Sequence, residues 1–363
     1  MRTSSRKLLV VLIGLLVVGF VVYRSSGMVH HSDFSGMEML HAVRRANPYY
    51  LILSLVAIYA CYALRALRWK VFQQNLGTSS FWNIYKMTLA GFSALQLLGR
   101  PGEPVRPFLL ARKEKLPVSG MFGVYLLERI FDFASMAVIA AIVLLRFRAD
   151  GSSETALALE KTAKPAAALL VLGVIAATAL LVYLRFHGTT LLERRLQGWL
   201  QAHGWRGKVA GIVLEIARGV QTIRNGRDLT LAVFYSAVHW FLVLLIYLWV
   251  AKSFGGTLGT LSLSDAMLVL AVTLVGSVLQ LPGVGGGSQA GSFGAYTKIF
   301  LIKKEAALAA SIVIWLVTFA AVSLAGVPLL IHEGLSLGKL KDMAEHEKEA
   351  AIESAAQQGD SAQ

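Results

Sequence analysis

The sequence predicts an all-α polytopic membrane protein, and three observations predict it. Of 363 residues, 56% are hydrophobic and 15% charged, with a mean hydropathy of +0.61, too apolar for an ordinary water-facing surface. The apolar residues gather into runs of about twenty, the length a helix needs to cross the hydrocarbon core. Two runs end in glycine/proline breaks, Gln96-Leu-Leu-Gly-Arg-Pro-Gly-Glu103 and Gln280-Leu-Pro-Gly-Val-Gly-Gly-Gly287. Paired breaks at corresponding positions of two halves are the pattern of discontinuous helices at a transporter's binding site.

Taken in order, six full spans are expected at 6–23, 48–64, 119–145, 165–185, 229–251 and 305–331. The first follows Arg2, Arg6 and Lys7, and Tyr23-Arg24-Ser25-Ser26 stands where a small-residue cleavage site would be, so it reads as an uncleaved signal anchor. Segments 80–98 and 264–282 are also long enough, but each runs into its break and then a short apolar piece. We expect these to be re-entrant or broken hairpins, giving six to eight spans in all, because irregular backbone at membrane depth must be buried in protein or line a wet cavity. Residues 190–224 place Val209, Ile212, Val213, Ile216, Val220 and Ile223 on one stripe, as an interfacial amphipathic helix does. Residues 1–338 thus form one membrane domain, and 339–363 a polar tail expected to be disordered in the cytoplasm.

Charge sets the expected orientation. With both hairpins re-entrant and the N-terminus inside, 23 of the 35 Lys and Arg fall in inner segments, 11 fall outside, and Arg129 lies within a span. That is the positive-inside bias, with both termini cytoplasmic. The same bias accounts for the net charge of +14 in an anionic bilayer without invoking nucleic acid. Ser93, Leu95, Gln96, Leu97, Gly99 and Gly102 match Ser277, Leu279, Gln280, Leu281, Gly283 and Gly286 at an offset of 184 residues. Three spans separate the hairpins, so repeat-like segments at about 80–133 and 264–319 would enter from opposite faces, as inverted repeats do.

Polar groups inside these runs are the functional candidates. Glu128, Arg129 and Asp132 each cost about 2.5–3.5 kcal/mol near a bilayer centre on insertion scales and should face the bundle interior or water. Glu128 and Asp132 share a helix face, and Arg129 is within pairing reach of Asp132. Two readings stand side by side: a self-neutralising clamp between helices, or the charged wall of a cavity for a zwitterionic or anionic head group. The first break offers Arg100 and Arg106 for bidentate phosphate contacts, Gly102 for backbone freedom, and Glu103 to pair with an arginine or an ammonium; a plain cytoplasmic turn is the alternative. The second offers Gln280, the backbone amides of Gly283, Gly285, Gly286 and Gly287, and the side chains of Ser288 and Gln289. It lacks the Lys-Ser/Thr of a nucleotide-binding loop. Arg65, Arg68, Trp69 and Lys70 close the second span and read as interface anchors. The single cysteine, Cys61, excludes an intrachain disulfide and a cysteine metal cluster. His30, His31 and His41 match no zinc spacing, and neither a cofactor site nor a nucleophile motif is seen.

Together, Arg68-Trp69, Gly99-Arg-Pro-Gly-Glu-Pro-Val-Arg106, Glu128-Arg-Ile-Phe-Asp132 and Leu281-Pro-Gly-Val-Gly-Gly-Gly287 resemble the transmembrane region of the lysylphosphatidylglycerol synthase family, also called flippase-like membrane proteins. The likeness runs over about residues 45–335. It implies a bacterial inner-membrane protein that translocates or handles a lipid: an anionic phospholipid, a polyprenyl phosphate or a hopanoid-type lipid. Glu103, Arg106, Glu128, Arg129 and Asp132 match the family's polar positions. No aminoacyltransferase domain follows Leu330, so lysyl-lipid synthesis is not expected, and Ser288-Gln289 stands where relatives often carry an acidic residue. The expected function is that of a lipid translocase rather than an enzyme. The alternative is a non-transporting partner that engages a lipid-modifying enzyme, such as a glycosyltransferase, through the 190–224 helix.

Overall fold

The computed structural model describes residues 36–99, 102–146, 225–277, 280–281 and 285–333, with isolated helical positions between 165 and 198. The expected first span, most of the fourth, the 190–224 helix, the tail, Arg100 and Gly283 lie outside the described residues.

Among the described residues, three helices are long and apolar enough to cross a membrane. Helix α1 is a short amphipathic piece, Gly36–Arg45. Next comes α2, Pro48–Phe72, started by Pro48 at its first position and by Asn47, whose side chain accepts the Tyr49 N–H at 3.0 Å. The other two are α6, Gly226–Phe254, and the run Lys304–His332. The last run is α10, Lys304–Trp315, a π-helical turn, Leu316–Ala320, and α11, Ala321–His332. Helix α5, Val118–Arg146, matches α6 at 29 residues and is distinguished by its buried Glu128 and Asp132.

Both glycine breaks reverse the chain. Helix α3, Phe81–Leu98, is followed by α4, Val105–Glu114, whose 10 residues span about 15 Å, half a bilayer. The turn folds α4 back along α3 so closely that a side chain at Gly91 would run into the Cα of Arg106. The second hairpin is preceded by a four-residue turn, α7, Gly256–Gly259. It is built from α8, Leu263–Gly276, α9, Gly287–Gly294, and a π-helical turn, Ala295–Ile299. Ser262 and Asp265 close a capping box at the start of α8. Between α8 and α9 a two-residue antiparallel pair, β1 (Gln280–Leu281) with β2 (Gly285–Gly286), sets Gln280 opposite Gly286. Gly291 of α9 lies against Thr273 of α8 with no room for a side chain.

The elements recur in order. Helices α2, α3, α4 and α5 begin at 48, 81, 105 and 118; α6, α8, α9 and α10 begin at 226, 263, 287 and 304, which are offsets of 178, 182, 182 and 186 residues. The leading helices are antiparallel: the Asn47 N–H donates to the Ser253 carbonyl at 2.7 Å, the Cys61 thiol reaches the His239 carbonyl at 3.6 Å, and Arg68 donates to Ser236 Oγ at 2.8 Å. The two series therefore run in opposite senses along the bundle. Each also lends its long helix to the other's hairpin, with α11 packed on α3 and α8 on α5. Ser93 of α3 donates to the Val322 carbonyl at 3.3 Å, and Gln96 accepts from Ser323. The interior forms two apolar clusters, one around α2, α6, α8 and α10, the other around the end of α2 with α3, α4 and α5.

Candidate functional site

The second cluster encloses a dense group of charges. Helix α2 runs on past the first arginine to Phe72, so Arg65 and Arg68, three residues apart, project from one face into the bundle. Across from them α5 presents Glu128 and Asp132, four apart. The spacings match, and both arginines reach both acids. Arg65 Nη1 lies 3.0 Å from Glu128 Oε1 and 3.0 Å from Asp132 Oδ2. Arg68 Nη2 lies 3.1 Å from Glu128 Oε1 and 2.8 Å from Asp132 Oδ1.

The first break adds a third guanidinium. The reversal after Gly99 brings Arg106, in the first turn of α4, onto Glu128 as an ion pair. Its guanidinium is 4.3 Å from the centre of the Trp69 ring and 4.9 Å from that of Phe92, positions that favour a cation over an aromatic face. Arg129 is the fourth: 3.3 Å from Asp132 and 3.5 Å from Glu128, and 5.2 Å from the Tyr125 ring. Helix α6 closes the group with Ser236 and with His239, whose Nδ1 lies 3.3 Å from the Cys61 carbonyl.

Four guanidiniums thus share two carboxylates. Removing ions from water is offset only when geometry and hydrogen bonding are good, and here both carboxylates are saturated by arginines. The arginines are not saturated: the Nε atoms of Arg68 and Arg129 are buried without a hydrogen-bond partner. A small, half-open cleft adjoins the group, lined by Gly91, Phe92 and Leu95 of α3 and by Glu103, Arg106, Tyr125 and Arg129. Glu103 accepts from the Tyr125 hydroxyl rather than pairing with an arginine, so a carboxylate and two guanidiniums face the same space. Chemically the cleft suits an anionic group beside a hydroxyl or amine donor.

The residues singled out in the sequence fall into two places. Glu103, Arg106, Glu128, Arg129 and Asp132 come together at the cluster, and Gly102 supports them by packing against Leu95 without room for a side chain. The second break lies elsewhere: Gln280 pairs with Gly286 through the backbone, Ser288 is buried, and Gln289 Oε1 accepts from the Gly286 N–H at 2.6 Å and from Ser288 at 3.2 Å. Gly285, Gly286, Gly287, Ser288 and Gln289 thus brace their own hairpin and do not line the cleft. One expectation is corrected. Arg68 and Trp69, read as interface anchors, are 1% and 0% exposed, because α2 continues eight residues past the apolar run and carries them inside; Lys70 points outward. Phe92, Ser236 and His239 were not singled out. The signal available for Arg65 and Arg68 was their three-residue spacing opposite two acids four apart.

The profile of the lysylphosphatidylglycerol synthase transmembrane region matches residues 8–326. The chain belongs to that family. It is also 22% identical over 324 residues to a UPF0104 membrane protein of the archaeon Methanothermobacter thermautotrophicus, covering 84% of this chain and 92% of that protein. No solved structure matches significantly. Family membership and the apolar spans establish an integral membrane protein of a lipid-related family.

Proposed function

We propose that this protein is a lipid translocase of the cytoplasmic membrane, moving an anionic or polyprenyl-linked lipid whose phosphate docks at the arginine cluster. The observation that carries this reading is the imbalance of the buried group: four guanidiniums on two carboxylates, opening on a cleft within a membrane bundle. Arginine offers a planar fork that matches phosphate oxygens. Arg106 and Arg129 would take the phosphate, Glu103 and Tyr125 would bind the polar part beyond it, and the acyl or prenyl tails would stay in lipid. The counter-running series support transport by rocking of one half against the other around a central site. Driving force would come from a gradient or from the lipid's own concentration difference.

Reconstitution tests the reading. Purified protein is placed in liposomes holding head-group-labelled phosphatidylglycerol or polyprenyl phosphate in both leaflets, and the fraction open to an impermeant quencher is followed in time. We expect wild-type protein to expose the inner-leaflet label and Arg129→Ala to lose that activity. Identical traces for wild-type vesicles and protein-free vesicles with every lipid tried would reject the translocase.

A further inference from the structure

The arginines of the cluster are not equally accessible. Arg129 is 26% exposed, Arg65 11% and Arg106 3%. The side chain that both lines the cleft and lies against Arg65 is Phe92. Its ring lines the cleft, lies 5.0 Å from the Arg65 guanidinium and 4.9 Å from that of Arg106, and meets the Tyr62 ring edge-on at 5.0 Å. Arg65 does not reach the cleft wall at all.

The backbone under this ring is held. Gly91, the preceding residue, packs directly on Arg106, and one residue further on, Ser93 is tied to the Leu89 and Val322 carbonyls at 2.9 and 3.3 Å. Movement at this point belongs to the side chain rather than to α3. Phe92 is half-buried with open space on one side, and side-chain rotation is fast compared with movement of packed helices.

We propose that Phe92 is the gate of the cleft. Arg106 and Arg129 already face the open space, and the Phe92 ring lies on that space with Arg65 against it; turned aside, it lets an anionic group pass from Arg106 and Arg129 to Arg65. The same ring lies within cation–π reach of both the Arg65 and Arg106 guanidiniums. The gate rests on the proposed head-group site for its purpose, but its geometry is testable without any lipid transport.

The test is arginine labelling of the detergent-purified protein by phenylglyoxal, read residue by residue by mass spectrometry, in wild type, Phe92→Ala and Phe92→Trp. Arg129 is the accessible reference and Arg68, 1% exposed and not in ring contact with Phe92, reports unfolding. The expected result is several-fold faster modification of Arg65 in Phe92→Ala, with Arg68 still protected, and wild-type protection in Phe92→Trp. Unchanged protection of Arg65 in Phe92→Ala overturns the gate. So does a rise that includes Arg68, which means the ring holds the bundle rather than screens the cleft. If labelling behaves as expected while liposomes show no lipid movement, the gate stands and the translocase reading falls.

Discussion

Glu128 is the residue on which the most charge converges. It is fully buried and lies within 3.5 Å of all four arginines. Removing it leaves guanidiniums facing one another in a medium that cannot solvate them. Breaking a buried ion pair from one side costs about 3–5 kcal/mol. We expect Glu128→Ala to be destabilised by about that amount, measured as a fall in the thermal unfolding midpoint in detergent. Arg129→Ala should differ in kind: its side chain is partly open to the cleft and Asp132 keeps Arg65 and Arg68, so unfolding should shift far less while phosphate-lipid handling is lost. Equal destabilisation by the two substitutions would show that Arg129 is a structural member of the cluster. The contacts show which of the four arginines is spare.

At the scale of elements, the hairpins depend on close backbone approach. Gly91 lies in the middle of α3 with the Arg106 backbone against it, whereas Gly294 of α9 is a helical glycine with open space around it. Gly91→Leu should pry α4 from α3, withdraw Arg106 from Glu128 and cost about 1–3 kcal/mol through overpacking. Gly294→Ala should be neutral or stabilising by up to about 1 kcal/mol through helix propensity. Unfolding of both variants in the same detergent checks the contrast. The long last helix holds a second dependence. Its π-helical turn ends at Ala320, and the next carbonyl, Ala321, accepts from the Tyr59 hydroxyl at 2.7 Å. Tyr59→Phe removes that bond and should cost about 0.5–1.5 kcal/mol. The break positions were readable because glycine and proline interrupt apolar runs. The depth to which each hairpin folds back was not, since it depends on which residue of the neighbouring helix a glycine meets.

For the molecule as a whole, contacts at the helix ends sort the loops into two groups. Lys113, at the end of α4, bonds Glu333, just past α11, at 2.7 Å, and Asn47, before α2, bonds Ser253 near the end of α6. With α2 and α6 antiparallel, these two pairs mark opposite faces of the bundle. In a Cys61→Ala background, Lys113→Cys and Glu333→Cys should react with an impermeant maleimide from the same side of sealed vesicles, and Arg45→Cys from the other. Labelling of positions 113 and 333 from different sides would break the pairing of these two helix ends, and labelling of both from the extracellular side would reverse the expected orientation with the C-terminal end in the cytoplasm.

The sequence by itself determined the solvent and the class of fold. Its hydropathy requires a bilayer, its runs require helices, and its two breaks require irregular backbone sheltered by protein; each property is local along the chain. It also marked Glu128, Arg129 and Asp132, because charge within an apolar run is costly wherever the run goes, and Glu103 and Arg106, because they stand in a glycine/proline break. Only the tertiary structure decided that Arg65 and Arg68 belong with them, that the Phe92 ring lies against Arg65 and Arg106, and that Ser288 and Gln289 serve their own hairpin. The reason is physical. A charge at the end of an apolar run can face head groups or turn inward, and the choice depends on whether a carboxylate on another helix, 60 residues or more along the chain, arrives to meet it.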